Sequence, residues 1–155
     1  MKLQIKIFLS VLIFFITPIE QCFAQQNIKV LIDKFNDNDT WVNGEVINEL
    51  VKIGEPAVDE LILSLQDKND NVRWCSAIAL EKISPAGKTA IPFLIKALQD
   101  KNSDVRWCSA LALGKFQTDA VSAISELQKL LFDEDYDVRW AAYISLSKID
   151  KKYLN

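Results

Sequence analysis

The chain has 155 residues, a mass of 17.6 kDa, a formal net charge of −3, 50% apolar residues and no histidine. That length suits one domain, two at most, and so large an apolar share excludes a disordered chain. Without histidine there is no Ser-His-Asp or Cys-His catalysis and the commonest metal ligand is missing; the acidic balance disfavours nucleic acid and anionic lipid as partners.

The first element is a targeting segment. Lys2 and Lys6 precede a ten-residue apolar run, Ile7 to Ile16, which Thr17-Pro18 interrupts. Cys22-Phe23-Ala24 then places small residues at the −3 and −1 positions of a cleavage site. The run is short for a bilayer span, which needs about 20 residues. A secretory signal peptide over 1–24, cleaved after Ala24, is therefore expected, and with it a periplasmic or secreted protein that keeps no membrane attachment. An uncleaved anchor is the alternative, and Glu20 and Gln21 argue against lipidation at Cys22. Residues 25–155 would remain, with 16 Lys+Arg against 20 Asp+Glu, a net charge of −4, and enough chain for a core.

That remainder repeats. Trp41, Trp74, Trp107 and Trp140 stand 33 residues apart, and Val-Arg-Trp recurs in frame at 72–74, 105–107 and 138–140. Segments 57–83 and 90–116 are identical at 17 of 27 positions. Boundaries fall at 25–54, 55–87, 88–120 and 121–155. The first copy is degenerate, with Asp39-Thr40 in place of Val-Arg, as a capping repeat can be.

Each unit reads as two helices. The first covers Ala57 to Gln66, Ala90 to Gln99 and Ala123 to Phe132, with Val58, Leu61 and Leu65 on one face. Gly54 stops the helix before it and Pro56 suits a first turn. A polar turn follows (DKNDN, DKNSD, DEDYD), whose final Asn or Asp is placed to cap the next helix. The second helix runs from Val72 to about Ile83, with Val72, Ser76, Ala79 and Ile83 as its buried stripe and Val105, Ser109, Ala112 and Phe116 as the stripe one unit on. No strand-like alternation occurs in 25–155.

These residues resemble the HEAT repeat, in its phycobilisome lyase-type form, and DKNSDVRWCSALALGKF at 100–116 carries the resemblance most fully. It implies an all-α, right-handed α-solenoid of about four repeats, with the second helices lining the concave side. It also implies binding or scaffolding in most members and chromophore lyase activity in a few.

Asp67 and Arg73, Asp100 and Arg106, and Asp133 and Arg139 each sit six apart and are expected to form a structural ladder that ties each turn to the next repeat by charge-assisted hydrogen bonds. Asp133-Glu134-Asp135-Tyr136-Asp137 opens like a calcium loop but has Val138 and Ile144 where that loop needs Gly and an acid, so no metal and no cofactor are expected. Cys75 and Cys108 occupy equivalent positions on neighbouring helices, roughly 8–10 Å apart and beyond disulfide reach of about 7 Å; two free, partly buried thiols follow, a bilin thioether being the alternative.

On a helical wheel Trp74 lies opposite the buried stripe, as do Trp107 and Trp140 with Ile78, Leu111, Tyr143 and Ile144. Two readings stay open. The indoles could form a concave row gripping a protein or an extended peptide segment, or they could fold sideways as cement between repeats. The function expected is an exported, non-catalytic protein-protein interaction or scaffold module. The alternatives are a structural assembly factor of an envelope complex, and, more remotely, a carbohydrate-binding or lyase-type protein.

Overall fold

The structure, a computed structural model, describes residues 22–37, 39–84 and 86–154. The basic and apolar parts of the expected signal peptide, 1–21, lie outside the described residues, as does the side chain of Trp41. The described residues form eight α-helices and no strand: α1 over 22–33, α2 Thr40–Ile53, α3 Val58–Ser64, α4 Asp70–Ile83, α5 Ile91–Ala97, α6 Ser103–Lys115, α7 Ile124–Leu130 and α8 Tyr136–Ile149. α3 pairs with α4, α5 with α6 and α7 with α8, the 3-10 turn Lys34–Asn36 that follows α1 packs on α2, and the second helices α2, α4, α6 and α8 pack side by side in that order. The architecture is an α-solenoid of stacked helix pairs.

The 33-residue period becomes columns of buried side chains. Ile28, Leu61, Leu94 and Leu127 form one such column on the first helices, and Leu80, Leu113 and Leu146 another on the second. Burying each of these side chains contributes about 1.5–3 kcal/mol, and no repeat can bury its own alone. The first helices are shorter than the sequence pattern suggests: Ala57, Ala90 and Ala123 close 3-10 turns ahead of them, and their last two expected residues, 65–66, 98–99 and 131–132, form turns. Gly54 ends α2 with φ 74°, a backbone state that glycine tolerates best. Gln117 takes the left-handed position after α6 with φ 50°.

The turns differ from the sequence expectation by two residues. The caps of α4, α6 and α8 are Asn69, Asn102 and Asp135, the third turn residue rather than the last. The preceding aspartates cause this. Asp67 accepts the Asn69 N–H at 2.8 Å, Asp100 the Asn102 N–H at 2.9 Å and Asp133 the Asp135 N–H at 2.9 Å. Each bond folds the chain so that the third side chain faces the helix start, and α4 accordingly begins at Asp70, ahead of Val72.

The second helices approach one another closely through small residues. Ser145 on α8 donates to the Ala110 carbonyl at 2.7 Å. A Cβ added at Gly114 would lie 2.6 Å from the Ser145 Oγ and 3.0 Å from its Cα. Glycine at 114 is therefore a packing requirement of the α6–α8 contact.

Candidate partner-binding face

The ladder forms between repeats. Arg73 donates from Nε and Nη2 to the two carboxylate oxygens of Asp100, at 2.7 and 2.8 Å, and from Nη1 to the Asp67 and Lys68 carbonyls at 2.9 and 3.1 Å. Arg106 does the same one unit on, gripping Asp133 at 2.9 and 2.8 Å and the Asp100 and Lys101 carbonyls at 2.9 and 3.3 Å. Each guanidinium thus holds its own turn by the backbone and the next turn by its carboxylate. Asp70 adds a more exposed link, accepting from Lys101 at 3.2 Å. Repeat one has no such rung, since Thr40 replaces the arginine. Asparagine side chains join it to repeat two instead, with Asn69 Nδ2 to Asn36 Oδ1 at 3.1 Å and Asn71 Nδ2 to the Phe35 carbonyl at 2.6 Å.

Neighbours on both flanks bury most of α4 and α6, and α8 is covered on one flank. On α4 the partly exposed residues include Asn71, Trp74, Ile78 and Glu81; on α6 they include Trp107 and Leu111, with Asp104 and Lys115 exposed; on α8 they include Ile144 and Ser147, with Asp137, Trp140 and Lys148 exposed. These residues make one stripe per repeat at helical spacing, aligned across three helices. At the rim of the stripe a groove of about 420 Å³ is lined by Asn69, Asp70, Asn71, Trp74, Asn102 and Asp104. Its lining is polar and carries two carboxylates.

The tryptophans are not equivalent. Trp74 and Trp107 are partly buried against the core, whereas Trp140 is 49% exposed. The Trp74 indole lies beside the Cys108 thiol of α6. The two inner indoles therefore pack sideways and also show an edge on the open face. Tyr143, which the helical wheel groups with the row, shares its register with Ala77 and Ala110, both fully buried. In those repeats the position faces the following second helix, so Tyr143 belongs to the flank of α8, where it is 51% exposed. The wheel missed this because it treats one helix alone, and the flanks are defined by neighbours.

Cys75 and Cys108 are free and buried, and Cys22 is free and exposed. Burial pushes the Cys75 thiol up to about 12 and raises Cys108 further, against the small opposing effect of the Trp74 hydrogen bond. Among the described residues no group of His, Cys, Asp or Glu is placed to hold a metal ion, and no helix is long and apolar enough to cross a membrane.

Helix pairs stacked through a common register, riveted by arginine–aspartate rungs, define an α-helical repeat protein. The HEAT repeat family matches residues 91–153. No curated protein matches the chain significantly. Among solved structures, the complex of CpcE and CpcF of phycocyanin lyase from Nostoc sp. PCC7120 is similar at TM-score 0.72 and 28% identity, covering 79% of this chain and 77% of that one. An engineered protein is similar at TM-score 0.59 and 26% identity, over 81% of this chain and 63% of that one. A designed armadillo repeat protein in complex with the peptide (KR)4 shares the fold at TM-score 0.58 and 18% identity, over 77% and 63% of the two chains.

Proposed function

We propose that the chain is a non-catalytic protein-binding module whose open second-helix face holds an extended, partly apolar segment of a partner protein, and that it works outside the cytoplasm after removal of residues 1–24. The aligned stripe carries this reading: Trp74, Trp107 and Trp140 alternate with Ile78, Leu111 and Ile144 across three helices and stay partly open. Aromatic anchors in a row are the kind of surface that interfaces use. Acids and lysines flank the stripe, which suits a segment of mixed charge better than a polyanion.

The test is affinity capture from extract of the source cells, with Ile78→Glu plus Leu111→Glu as the variant. Both side chains are partly open and also pack against the core, so the variant is read with circular dichroism matching the parent, and the captured protein is then expected to be lost. Retention of the same captured protein by the variant would overturn the reading. Export is tested by the N-terminal sequence of the protein in its own cells, expected to start at Gln25.

The likeness to the phycocyanin lyase complex favours a second reading, a subunit of a chromophore lyase. Residue chemistry opposes it in part: Cys75 and Cys108 are buried thiols, and Cys22 falls before the expected cleavage site. Incubating the protein with bilin and an apo-phycobiliprotein is expected to give no chromophore transfer; transfer would make this the correct reading.

A further inference from the structure

The onward flank of the fourth repeat carries a second surface, which meets the stripe at Trp140. In the inner repeats positions on this flank are used by the following repeat. Gln99 donates to Glu126 at 3.1 Å, Asp70 accepts from Lys101, Arg73 and Arg106 grip Asp100 and Asp133, and Ala77 and Ala110 are fully buried. One register further along these positions are Phe132, Tyr136, Arg139 and Tyr143, beside Trp140. Polar and small residues have given way to aromatic ones, and these are open: Phe132 is 89% exposed and Tyr136 68%, with Trp140 and Tyr143 each near half. Arg139 keeps the inner half of its grip, with Nη1 donating to the Asp133 and Glu134 carbonyls at 2.7 and 3.0 Å and its Cζ 5.5 Å from the Tyr136 ring centre. Its Nε and Nη2, the fork that holds a carboxylate in both earlier repeats, meet no carboxylate among the described residues.

We propose that this end face docks a different protein that presents a carboxylate in the turn ahead of a helix, Arg139 closing on the carboxylate as a fork while Phe132, Tyr136, Trp140 and Tyr143 pack around it. The fork geometry is taken directly from the Arg73–Asp100 and Arg106–Asp133 rungs. Charge decides against a second copy stacked head to tail: the register that holds Asp67, Asp100 and Asp133 holds Lys34 in the first repeat, which would meet Arg139 with like charge. The four aromatic side chains supply desolvation around the ion pair, the setting in which such a pair is strong.

The probe is a fluorescein-labelled peptide with the sequence of residues 99–116, whose Asp100 is the carboxylate that Arg73 grips within the chain. Anisotropy titration against the full chain is expected to show binding that Arg139→Gln weakens about tenfold or more. An Asp→Asn change in the peptide should lose a similar factor against the parent and nothing further against Arg139→Gln, a coupling that a merely structural arginine would not give. Tyr143→Ala, at an exposed position, should lose affinity with an unchanged melting temperature and keeps the test sound if Arg139→Gln folds poorly. No peptide binding, or equal binding by parent and variants, overturns the proposal. Light scattering at high protein concentration is expected to show a monomer; a dimer abolished by Arg139→Gln would assign the face to a second copy and overturn it equally.

Discussion

Arg73 and Arg106 each serve two turns, and their aspartate partners make folding sensitive to acid. Burial alone would raise the Asp100 pKa, but the hydrogen bonds from Arg73, the Asn102 N–H and the Arg73 charge outweigh it and hold the carboxyl below its usual value; Asp133 behaves likewise beneath Arg106. A carboxyl whose folded pKa is depressed contributes stability above its unfolded value, near pH 4, and that contribution is lost as the pH falls through the folded value. Urea unfolding is therefore expected to show stability falling below about pH 4, with a shallower fall in Asp100→Asn. At neutral pH that variant leaves the buried Arg73 guanidinium with only the half-exposed Asp70, 3.2 Å from its Nη2, as counter-charge, which costs about 1–3 kcal/mol. The thiols give a second check. At pH 8 Cys75 is un-ionised and buried, so a disulfide-exchange reagent should leave Cys75 and Cys108 unreacted in the native protein and modify both in denaturant. Arg73, Asp100, Arg106 and Asp133, the four residues of the two rungs, were legible in the sequence because they recur in frame; Asp67 and Arg139, expected with them, serve only their own turns. The pairing over 27 positions was not, since a six-residue spacing within one repeat hides the longer reach into the next.

At the scale of elements, the helix starts and the tight crossing carry measurable consequences. Asn102 caps α6 by accepting from the N–H groups of Asp104 and Val105 at 2.8 and 3.2 Å. Asn102→Ala should cost about 1 kcal/mol in chemical denaturation. Gly114→Ala should cost more, about 1–3 kcal/mol, because the new methyl meets Ser145 backbone as well as its hydroxyl and α6 and α8 must part. A matching Ser145→Gly change is expected to recover some of that loss, which separates a steric cause from a helix-propensity effect of the opposite sign. Helix number, order and approximate extent could be read from periodicity. The cap position could not, because it depends on a side-chain bond from the turn's first aspartate, and the degree of indole burial depended on neighbouring helices.

Over the whole molecule, stability is expected to be uneven. Repeats two to four share buried ion pairs and close helix contacts, whereas repeat one is joined to repeat two through side-chain amide hydrogen bonds, through Gln25 donating to Glu60 at 2.9 Å, through the more exposed Lys29–Glu60 pair at 3.6 Å and through apolar packing. Hydrogen exchange should therefore release amides of 25–53 before those of α6 and α8, with the slowest exchange around Leu113 and Leu146. Uniform exchange across the four repeats would show that the rungs add little beyond packing. The repeat architecture was written plainly in the tryptophan spacing. The asymmetry of its two ends was visible only as Thr40, Lys34 and the late aromatic residues, whose meaning rests on which neighbour each register faces.

The double grip of each arginine also makes the turns mechanically continuous. A guanidinium fastened to its own backbone and to the following carboxylate transmits load from turn to turn along one edge of the stack, as rivets do along a seam. A chain drawn out from its two ends would strain Arg73–Asp100 and Arg106–Asp133 in series. It would part first at the seam before Asp67, where amides replace the rivet, so that the two-helix leading unit peels away while the remaining three still hold together.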